Sequence, residues 1–341
     1  MAFMRAVVYR RTGGSEVLEV VDRPVPEPGH GEVLVRVALS GVNPTDWKRR
    51  GDGELPVEGW QIPNQDGAGV IEAVGPGVDA GRVGERVWLW EAAHGRPWGT
   101  AAEYTVVPAH QAVLLGDASF EVGASLGVPF VTAHRCLTLG EVMPDRLGPG
   151  ALEGRSILVQ GGAGAVGNAA IQLARWADAT QVIATVSRPE KAQLAAAAGA
   201  THVIDYRQQD VVREVRKIAS GGVDAIVEVA PAVNAEIDAR VLAPDGVVAM
   251  YATDGGSRLD LPIRPMMVLN AQWHFVLLYT VSKRAKQHAV RDVSDAAAEG
   301  ALRVGPDAGL PLYYFPLESA AEAHDAVHGG AVGKVLITTA S

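Results

Sequence analysis

The chain has 341 residues, of which 48% are hydrophobic and 20% are charged, which is typical of a globular protein and excludes a largely disordered one. The length predicts two domains, and a net charge of −9 excludes the electrostatic footprint of nucleic-acid or anionic-membrane binding. Cys136 is the only cysteine, so an internal disulfide and a zinc site of several thiolates are excluded. With neither a signal peptide nor a bilayer-spanning apolar run, we expect a soluble cytoplasmic protein.

The first third of the sequence has the pattern of a β domain. Short alternating or β-branched segments are separated by Gly- and Pro-rich breakers. They predict strands at Ala6–Tyr9, Val17–Val21, Val33–Ala38, Gly69–Val74, Arg86–Trp90 and Ala102–Val107. We therefore expect a compact, mostly antiparallel domain. One polar turn, SGVNPTD at Ser40–Asp46, follows a predicted strand, and such strand ends often carry the chemical groups of enzymes.

From about residue 120 the pattern changes to alternating strands and helices. We predict strands at Ser156–Gln160, Gln181–Val186, His202–Ile204, Val223–Val229 and Gly246–Tyr251. The intervening helices are expected at about Gly167–Ala179, Pro189–Ala198, Asp210–Ala219 and Asn234–Leu242. This alternation predicts an α/β, doubly wound parallel sheet of the Rossmann type. The apolar segment Trp273–Tyr279 is predicted to close the sheet at one edge.

The last segment, 282–341, is expected to return to the first domain. It begins with a charged helix and ends in GKVLIT at 333–338, which has the pattern of a strand. The predicted organisation is therefore a discontinuous β domain of residues 1–128 and 282–341, and a Rossmann domain of residues 129–281.

A glycine loop follows the first strand of the predicted Rossmann sheet. Its seven residues read GGAGAVG, and three glycines satisfy G-x-G-x-x-G between a strand and a helix. Such glycines let the backbone approach a pyrophosphate at a helix N-terminus. The alternative is a turn that packs without a ligand. The candidate dinucleotide-binding residues are Gly161, Gly162, Ala163, Gly164, Ala165, Val166 and Gly167.

The end of the second Rossmann strand favours NADP(H) over NAD(H). An NAD site usually has an acidic residue there to hold the ribose 2′-hydroxyl. This sequence has Ser187 and Arg188 instead, with Lys191 one turn later, and these groups suit a 2′-phosphate. The alternative is that Ser187 and Glu190 form a capping box and that both cations are only solvated.

Together these motifs resemble the medium-chain dehydrogenase/reductase superfamily, and specifically its zinc-free quinone oxidoreductase branch, which includes zeta-crystallin. The resemblance extends over nearly the whole chain in order. It implies a GroES-like β domain plus a Rossmann domain, with the active site in the cleft between them. The segments that carry it are GEVLVRV (31–37), GVNPTD (41–46), QDGAGVIEAVGPGV (65–78), VGERV (83–87), AEYTVVPA (102–109), VTAH (131–134), GGAGAVG (161–167), AGATHVIDYR (198–207) and GKVLI (333–337).

The zinc-dependent alcohol dehydrogenases of this superfamily provide a contrast. They have cysteine near Asn43 and Val128, and a His-Glu pair at Gln65 and Asp66. Asn, Gln and Val do not make a zinc site, so we expect no metal to polarise a carbonyl. Hydride transfer from NADPH then suits an acceptor that delocalises the incoming charge, such as a quinone or an α,β-unsaturated carbonyl.

The resemblance also assigns roles to single residues. It places Asn43 beside the nicotinamide as a hydrogen-bond donor to the acceptor, with a turn-forming role as the alternative, and Thr45 where zinc enzymes have a proton relay. We expect Asp46 to brace the turn. The residues expected to contact the cofactor are Thr132, Tyr206 on the adenine side, and Lys334 beside the active site. The alternatives are that Thr132 is only a helix-start residue and that Tyr206 is an ordinary residue at the end of a surface strand.

Two departures from the family pattern concern the substrate pocket. The usual P-G-x-D reads P-N-Q-D at 63–66, and the tyrosines of several relatives are missing. Trp60 is therefore the candidate pocket wall, with packing inside the β domain as the alternative.

The leading prediction is an NADPH-dependent quinone reductase. The alternatives are a 2-enoyl thioester or alkenal reductase, and a cofactor-binding protein with little turnover. In this superfamily the strand at 273–279 commonly pairs with a partner subunit, which predicts a homodimer.

Overall fold

The computed structural model describes residues 2–52 and 59–339. They form two compact units, one made of the described residues up to 128 together with 312–339, and the other of residues 129–311. Within these described ranges, no helix has the length and apolar character needed to cross a membrane.

The described strands, in chain order, are β1 (Phe3–Val8), β2 (Glu19–Pro24), β3 (Glu32–Val42), β4 (Asp66–Val74), β5 (Arg86–Leu89), β6 (Tyr104–Pro108), β7 (Ala112–Leu114), β8 (Ser156–Val159), β9 (Gln181–Val186), β10 (His202–Asp205), β11 (Val223–Glu228), β12 (Leu242–Met250), β13 (Gln272–Phe275), β14 (Leu312–Pro316) and β15 (Lys334–Thr338). The helices are α1 (Pro44–Asp52), α2 (Phe120–Leu137), α3 (Ala165–Trp176), α4 (Pro189–Ala197), α5 (Val211–Ile218), α6 (Pro231–Val241), α7 (Ile263–Leu269), α8 (Lys283–Ala298) and α9 (Ala320–His328).

The first unit is the predicted antiparallel β domain. Its larger sheet has the strand order β14-β15-β3-β4-β5-β7, with β6 also paired to β3, while β1 and β2 form a separate antiparallel pair. All pairings are antiparallel except that of β14 with β15. In one core of this unit, Met4, Val42, Ile62, Val335 and Ile337 are buried together. The long strand β3 lies at the centre of this sheet and therefore positions its neighbours.

The second unit confirms the doubly wound parallel sheet. Its six strands have the order β10-β9-β8-β11-β12-β13, and every pairing is parallel. The strand order reverses between β8 and β11, the place where open α/β sheets usually bind ligands. Leu158, Ile183, Ile226 and Val248 of the central strands pack in one apolar core, as expected for strands that are covered by helices on both faces.

The boundary predicted at residue 282 is wrong, because 282–311 belong to the second unit. The charged helix α8 buries Ala289 and Val293 there. Its Asp292, which is fully buried, accepts hydrogen bonds from His134 and Arg146 of the same unit. Only the last part of the tail, 312–341, completes the β domain, since β15 pairs with β3.

Two smaller expectations also need correction. The edge strand is Gln272–Phe275, so it contains only the first three residues of the predicted segment 273–279, and Leu278–Thr280 form a 3₁₀ turn instead. The turn Ser40–Asp46 is shorter than expected, because β3 continues to Val42 and α1 begins at Pro44. Asn43 alone therefore links a strand to a helix.

Candidate functional site

The register of the first unit brings three distant parts of the chain to Asn43. Gly41 of β3 pairs with Asp66 of β4 on one side and with Leu336 of β15 on the other. Asn43 lies just beyond the end of β3, so its side chain lies between the first residue of β4 and the first residue of β15. The close packing at this place requires a glycine: a Cβ on Gly41 would lie 2.2 Å from the carbonyl oxygen of Ala124 and 2.9 Å from the Cε atom of Lys334.

The side chain of Asn43 is hydrogen-bonded at both ends. Its Nδ2 donates to Oδ2 of Asp66 at 2.7 Å, and its Oδ1 accepts from the Lys334 ammonium at 2.8 Å. Lys334 also lies 3.2 Å from Oδ2 of Asp66, which makes a buried ion pair. Asn43 is 2% exposed, Lys334 is 1% exposed and Asp66 is fully buried. With Asp46, these residues form what we call the Asn43 cluster.

Asp46 braces the start of α1, as expected. Its Oδ2 accepts from the backbone N–H of Asn43 at 2.8 Å, and its own N–H donates to the carbonyl of Asn43 at 3.0 Å. This is half of a capping box, in which the side chain three residues into a helix satisfies the N–H that precedes it. Burial raises the pKa of Asp46 to about 7, and the nearby charge of Asp66 acts in the same direction. Asp46 is therefore a titrating member of the Asn43 cluster.

Asp66 is a buried carboxylate with several partners. Its Oδ1 accepts from the backbone N–H of Val128 at 2.8 Å, while Oδ2 receives the bonds from Asn43 and Lys334. Burial raises the pKa of Asp66, and the Lys334 ammonium is the largest effect in the opposite direction. The ammonium thus stabilises the charged form of a carboxyl that would otherwise favour protonation.

The other positions that carry zinc ligands in alcohol dehydrogenases also have defined contacts. Oε1 of Gln65 accepts from the backbone N–H of Ala93 at 3.1 Å, and the main chain of Val128 binds Asp66. Within residues 2–52 and 59–339, no group of three or more His, Cys, Asp or Glu side chains has an arrangement that holds a metal ion. Amide and apolar side chains at these positions are poor ligands for zinc.

Thr45 and Trp60 lie outside the Asn43 cluster. Thr45 is half-buried in the first turn of α1. Trp60 is half-buried too; the Arg23 guanidinium lies 3.6 Å from its ring centroid, and the Trp98 ring is edge-on to it at 4.9 Å. Trp60 therefore packs against other residues of the β domain, as its alternative predicted. The role of Trp60 as a pocket wall and the catalytic role of Thr45 stay predictions.

In the second unit, the glycine loop has the geometry of a dinucleotide site. Gly161 has φ +74°, and Gly162 and Gly167 have no room for a Cβ, which would lie 2.7 Å from Ala184 and 2.4 Å from the Gly161 carbonyl, respectively. Gly164 is different, because a Cβ there would meet only the Gly161 carbonyl at 3.5 Å. The chain's own packing does not require this glycine. A pyrophosphate bound at the helix N-terminus would require a glycine here, because the backbone comes closest to the pyrophosphate at the second glycine of the motif.

Cations gather at the ends of β9 and β10. Burial lowers the pKa of Lys191, and the positive charges of Arg188 and Arg207 lower it further. Arg188 and Arg207 follow the ends of the neighbouring parallel strands β9 and β10, and Lys191 lies in the first turn of α4, which is the region where a 2′-phosphate was predicted. The capping-box alternative is wrong: α4 begins after Arg188, and no side chain among the described residues caps it. Tyr206 is half exposed and donates its backbone N–H to the Val186 carbonyl at the end of β9.

Thr132 and Lys334 have surroundings that the sequence did not indicate. Thr132 lies well inside α2 and is buried, so it is not a helix-start residue. The Lys334 ammonium is bonded to Asn43 and Asp66 inside the first unit. A contact of either residue with the cofactor stays a prediction. Sequence reasoning missed Asp66 as a site residue and treated it only as a replaced zinc ligand; the available signal was the P-N-Q-D motif at 63–66, of which Asp66 is the last residue.

Comparisons with known proteins agree with this architecture. Residues 29–117 match the family described as alcohol dehydrogenase GroES-like domain, and residues 165–297 match the family described as zinc-binding dehydrogenase. A quinone oxidoreductase of Lama guanicoe is 32% identical over 340 residues, which cover 98% of this chain and 97% of the relative.

Two solved structures are similar over almost their whole length. A mycobacterial protein in complex with NADPH is 30% identical, with a TM-score of 0.79 over 98% of this chain and 99% of that one. An NAD-dependent alcohol dehydrogenase is 29% identical, with a TM-score of 0.84 over 99% of this chain and 100% of that one. The chain belongs to the medium-chain dehydrogenase/reductase superfamily, in its quinone oxidoreductase branch. It is accordingly an oxidoreductase with a GroES-like and a Rossmann domain.

Proposed function

We propose that this protein transfers a hydride from NADPH to a quinone or a related conjugated carbonyl without zinc. The observation that carries the proposal is the Asn43 cluster. Where metal-dependent relatives have thiolate and imidazole ligands, this chain has an amide that is oriented by a buried ion pair of Asp66 and Lys334. An oriented amide donates hydrogen bonds, and it does not supply a Lewis acid.

The chemistry of the acceptor follows from that arrangement. An isolated carbonyl that receives a hydride becomes an alkoxide and needs strong stabilisation, whereas a quinone or an enone forms a delocalised phenolate or enolate. Hydrogen bonds and correct orientation are sufficient for the second kind of acceptor. The resemblance to quinone oxidoreductases supports the same acceptor class.

The second unit supports NADPH as the source of the hydride. Gly164 leaves open the space that a pyrophosphate needs, and Arg188, Lys191 and Arg207 supply positive charge for a 2′-phosphate. The similarity to a structure that contains NADPH supports this choice. When bound, NADPH supplies the hydride, and the chain's own residues orient the dinucleotide and neutralise its phosphates.

Steady-state kinetics tests the proposal. We expect NADPH oxidation with quinones to exceed that with 2-alkenals, enoyl thioesters and simple aldehydes, and to persist in protein that elemental analysis shows to be free of zinc. Faster turnover of an enoyl thioester or alkenal would favour the enoyl-reductase alternative. Tight NADPH binding without turnover of any acceptor would favour a binding protein. Activity that is lost on chelation and restored by zinc would refute zinc independence.

Variants of the cation group test the cofactor preference separately. We expect Arg188→Ala and Lys191→Ala to raise the KM for NADPH about tenfold each and to leave the KM for NADH nearly unchanged, because only NADPH has the 2′-phosphate. Arg216→Ala, which changes an exposed cation that binds the carbonyl of Arg240 in the same unit, is the control. Equal effects on both cofactors would contradict the assignment.

We also propose a homodimer through the edge segment 273–279, which contains most of β13, and a cytoplasmic location. Phe275 is 78% exposed and Leu277 is 59% exposed beside the unpaired edge of β13, and α7 adds the exposed Ile263 and Met267. An uncovered apolar edge of this kind promotes association. Light scattering after size exclusion is expected to give a dimer mass, and Phe275→Asp to give a monomer; a monomeric native protein would refute the proposal.

A further inference from the structure

A row of buried polar side chains links the end of α1 to the loop before β4. The guanidinium of Arg50 donates to Nδ1 of His324 on α9 at 2.6 Å, and it also donates to the carbonyl of Gly14 at 3.0 Å. The other ring nitrogen of His324, Nε2, lies 3.0 Å from Oδ1 of Asn64. Arg50, His324 and Asn64 are all buried. The first part of the row therefore joins two helices and a loop of the first unit.

The row continues from Asn64 to Asp66 through two hydroxyl groups. Nδ2 of Asn64 donates to Oγ of Ser40 at 2.9 Å, and that hydroxyl lies 2.7 Å from Oγ1 of Thr100. The Thr100 hydroxyl donates to the backbone carbonyl of Asp66 at 2.5 Å. We call Arg50, His324, Asn64, Ser40 and Thr100 the anchoring network.

The direction of every hydrogen bond in the network is fixed. Arginine only donates, so Nδ1 of His324 accepts and Nε2 carries the proton that it donates to Asn64. Burial lowers the pKa of His324 to about 3, with the charge of Arg50 acting in the same direction, so the imidazole is neutral. Asn64 then uses its amide nitrogen toward Ser40, whose hydroxyl donates to Thr100. A network with one consistent direction holds its members more rigidly than one with interchangeable donors.

Asn64 has an unfavourable backbone conformation, whose cost is offset by the hydrogen bonds of its side chain. Its φ is +75°, in the left-handed region that favours glycine and that asparagine tolerates better than most residues. This is the position at which the family usually has the glycine of P-G-x-D. Asn64 thus has a side chain at a position whose backbone conformation suits glycine. That side chain forms the central link between His324 and Ser40.

The network closes a loop of contacts around the Asn43 cluster. Asn43, the residue just before α1, is hydrogen-bonded directly to the side chain of Asp66. Near the other end of α1, Arg50 is linked through the rest of the anchoring network to the backbone carbonyl of Asp66. We propose that Asn64 and His324 are positioning residues, which hold α1 and Asp66 in the arrangement that orients the Asn43 amide. This inference rests on the proposed function of that amide as a donor to the acceptor.

The variant Asn64→Gly tests the proposal directly. Glycine suits φ +75° and removes both side-chain links, so the fold is expected to persist while the network is opened. We expect kcat with a quinone to fall about tenfold and the KM for NADPH to stay within twofold, because the glycine loop lies in the other unit. His324→Ala is expected to do the same, and His324→Gln, which keeps a donor and an acceptor, to recover part of kcat.

A core truncation separates positioning from general destabilisation. Ile71→Val changes a buried residue of the first unit that has no part in the network, and we expect it to lower the melting temperature without lowering kcat. If Asn64→Gly retains the wild-type kcat, or if Ile71→Val lowers kcat as much at an equal loss of stability, the proposal is overturned.

A second readout does not depend on turnover. If the native protein reduces no quinone or enone, the proposed function fails, but the positioning claim is still tested by NMR of the Asn43 side-chain amide in the full chain, assigned by its absence in Asn43→Ala. We expect Asn64→Gly to shift this signal and to speed its hydrogen exchange, with Ile71→Val unchanged. An unshifted and equally protected signal in Asn64→Gly would overturn the inference.

Discussion

The Lys334 ammonium lies 2.8 Å from Oδ1 of Asn43, and this contact determines which way the Asn43 amide points. An ammonium only donates, so the atom that faces it must be the amide oxygen, and Nδ2 must face Asp66. One of the two Nδ2 hydrogens is directed to Asp66 at 2.7 Å. The second is the donor that the proposed function assigns to the acceptor oxygen.

Replacing Asn43 tests that assignment. We expect Asn43→Ala to lower kcat/KM for a quinone by about 10- to 100-fold, which is less than the roughly 100- to 1000-fold effect of losing a donor to a localised oxyanion, because the charge on a phenolate is delocalised. Steady-state kinetics measures the effect, with circular dichroism to confirm the fold. Thr45→Val is the comparison: a change of less than about threefold would leave Thr45 without a catalytic role, and unchanged kinetics in Asn43→Ala would reduce Asn43 to a turn residue.

The buried Asp46 predicts a pH dependence of stability. Its pKa is about 7 in the folded protein and 3.8 in the unfolded reference, so between these values the folded state binds more protons. Stability from this group is therefore present at low pH and is lost as pH rises toward 7, by at most about 4 kcal/mol. We expect Asp46→Asn to become progressively more stable than wild type from pH 4 to 7.

Denaturant unfolding at several pH values measures this difference. Asp117→Asn, which changes an exposed aspartate of the same unit, is the control and is expected to follow the wild-type curve. Because Asp66 also has a raised pKa, the informative quantity is the difference between wild type and Asp46→Asn. Parallel curves for these two proteins would show that Asp46 does not titrate in this range.

The buried pair of Lys334 and Asp66 predicts strong coupling. Lys334→Met leaves a buried carboxylate without its cation and is expected to cost about 3–5 kcal/mol of unfolding free energy. The double variant with Asp66→Asn should lose less than the sum of the single changes, by about 1–3 kcal/mol. The exposed pair of Arg36 and Glu72, on the same sheet, is expected to show a coupling below about 1 kcal/mol in the same cycle. Additive losses at Lys334 and Asp66 would contradict the prediction.

Gly164 predicts a variant that loses cofactor but retains stability. A Cβ at this position meets no close neighbour, so Gly164→Ala should cost about 1 kcal/mol or less, from the poorer helix cap. It should weaken NADPH binding by about tenfold or more in calorimetry, because the methyl group occupies the approach to the loop. Gly221→Ala has open space and no pyrophosphate role, and should bind NADPH normally. Normal binding by Gly164→Ala would show that the cofactor lies elsewhere.

Much of the fold was predictable because its signals are local. The strand Gln181–Val186 matches its prediction at both ends, and the helices after β8 and β9 begin within two residues of their predicted starts. These elements have clear periodicity, and glycine or proline marks their ends. The helix α1 was missed because PTDWKRRGD is mostly polar and has no apolar stripe; its position depends on contacts of Asn43 and Arg50 with distant residues.

The site was predictable in part for the same reason. Asn43 and the glycine loop follow from local motifs and from a resemblance, whereas the partnership of Asn43 with Lys334 and Asp66 depends on how strands from the two ends of the chain pair. The importance of Asn64 was visible only as a departure from the P-G-x-D pattern. Its contact with His324 joins residues that are 260 positions apart, and no sequence spacing indicates it.

The position of Lys334 on β15 has a consequence for the order of biosynthesis. The second unit is continuous in sequence, so a nascent chain contains all of it before β15 is made. Until then, the Leu39–Val42 part of β3 lacks its β15 partner and the Asp66 carboxylate lacks its counter-ion. The Asn43 cluster therefore forms last during translation, and an unpaired strand edge is exposed while the ribosome completes the rest of the protein.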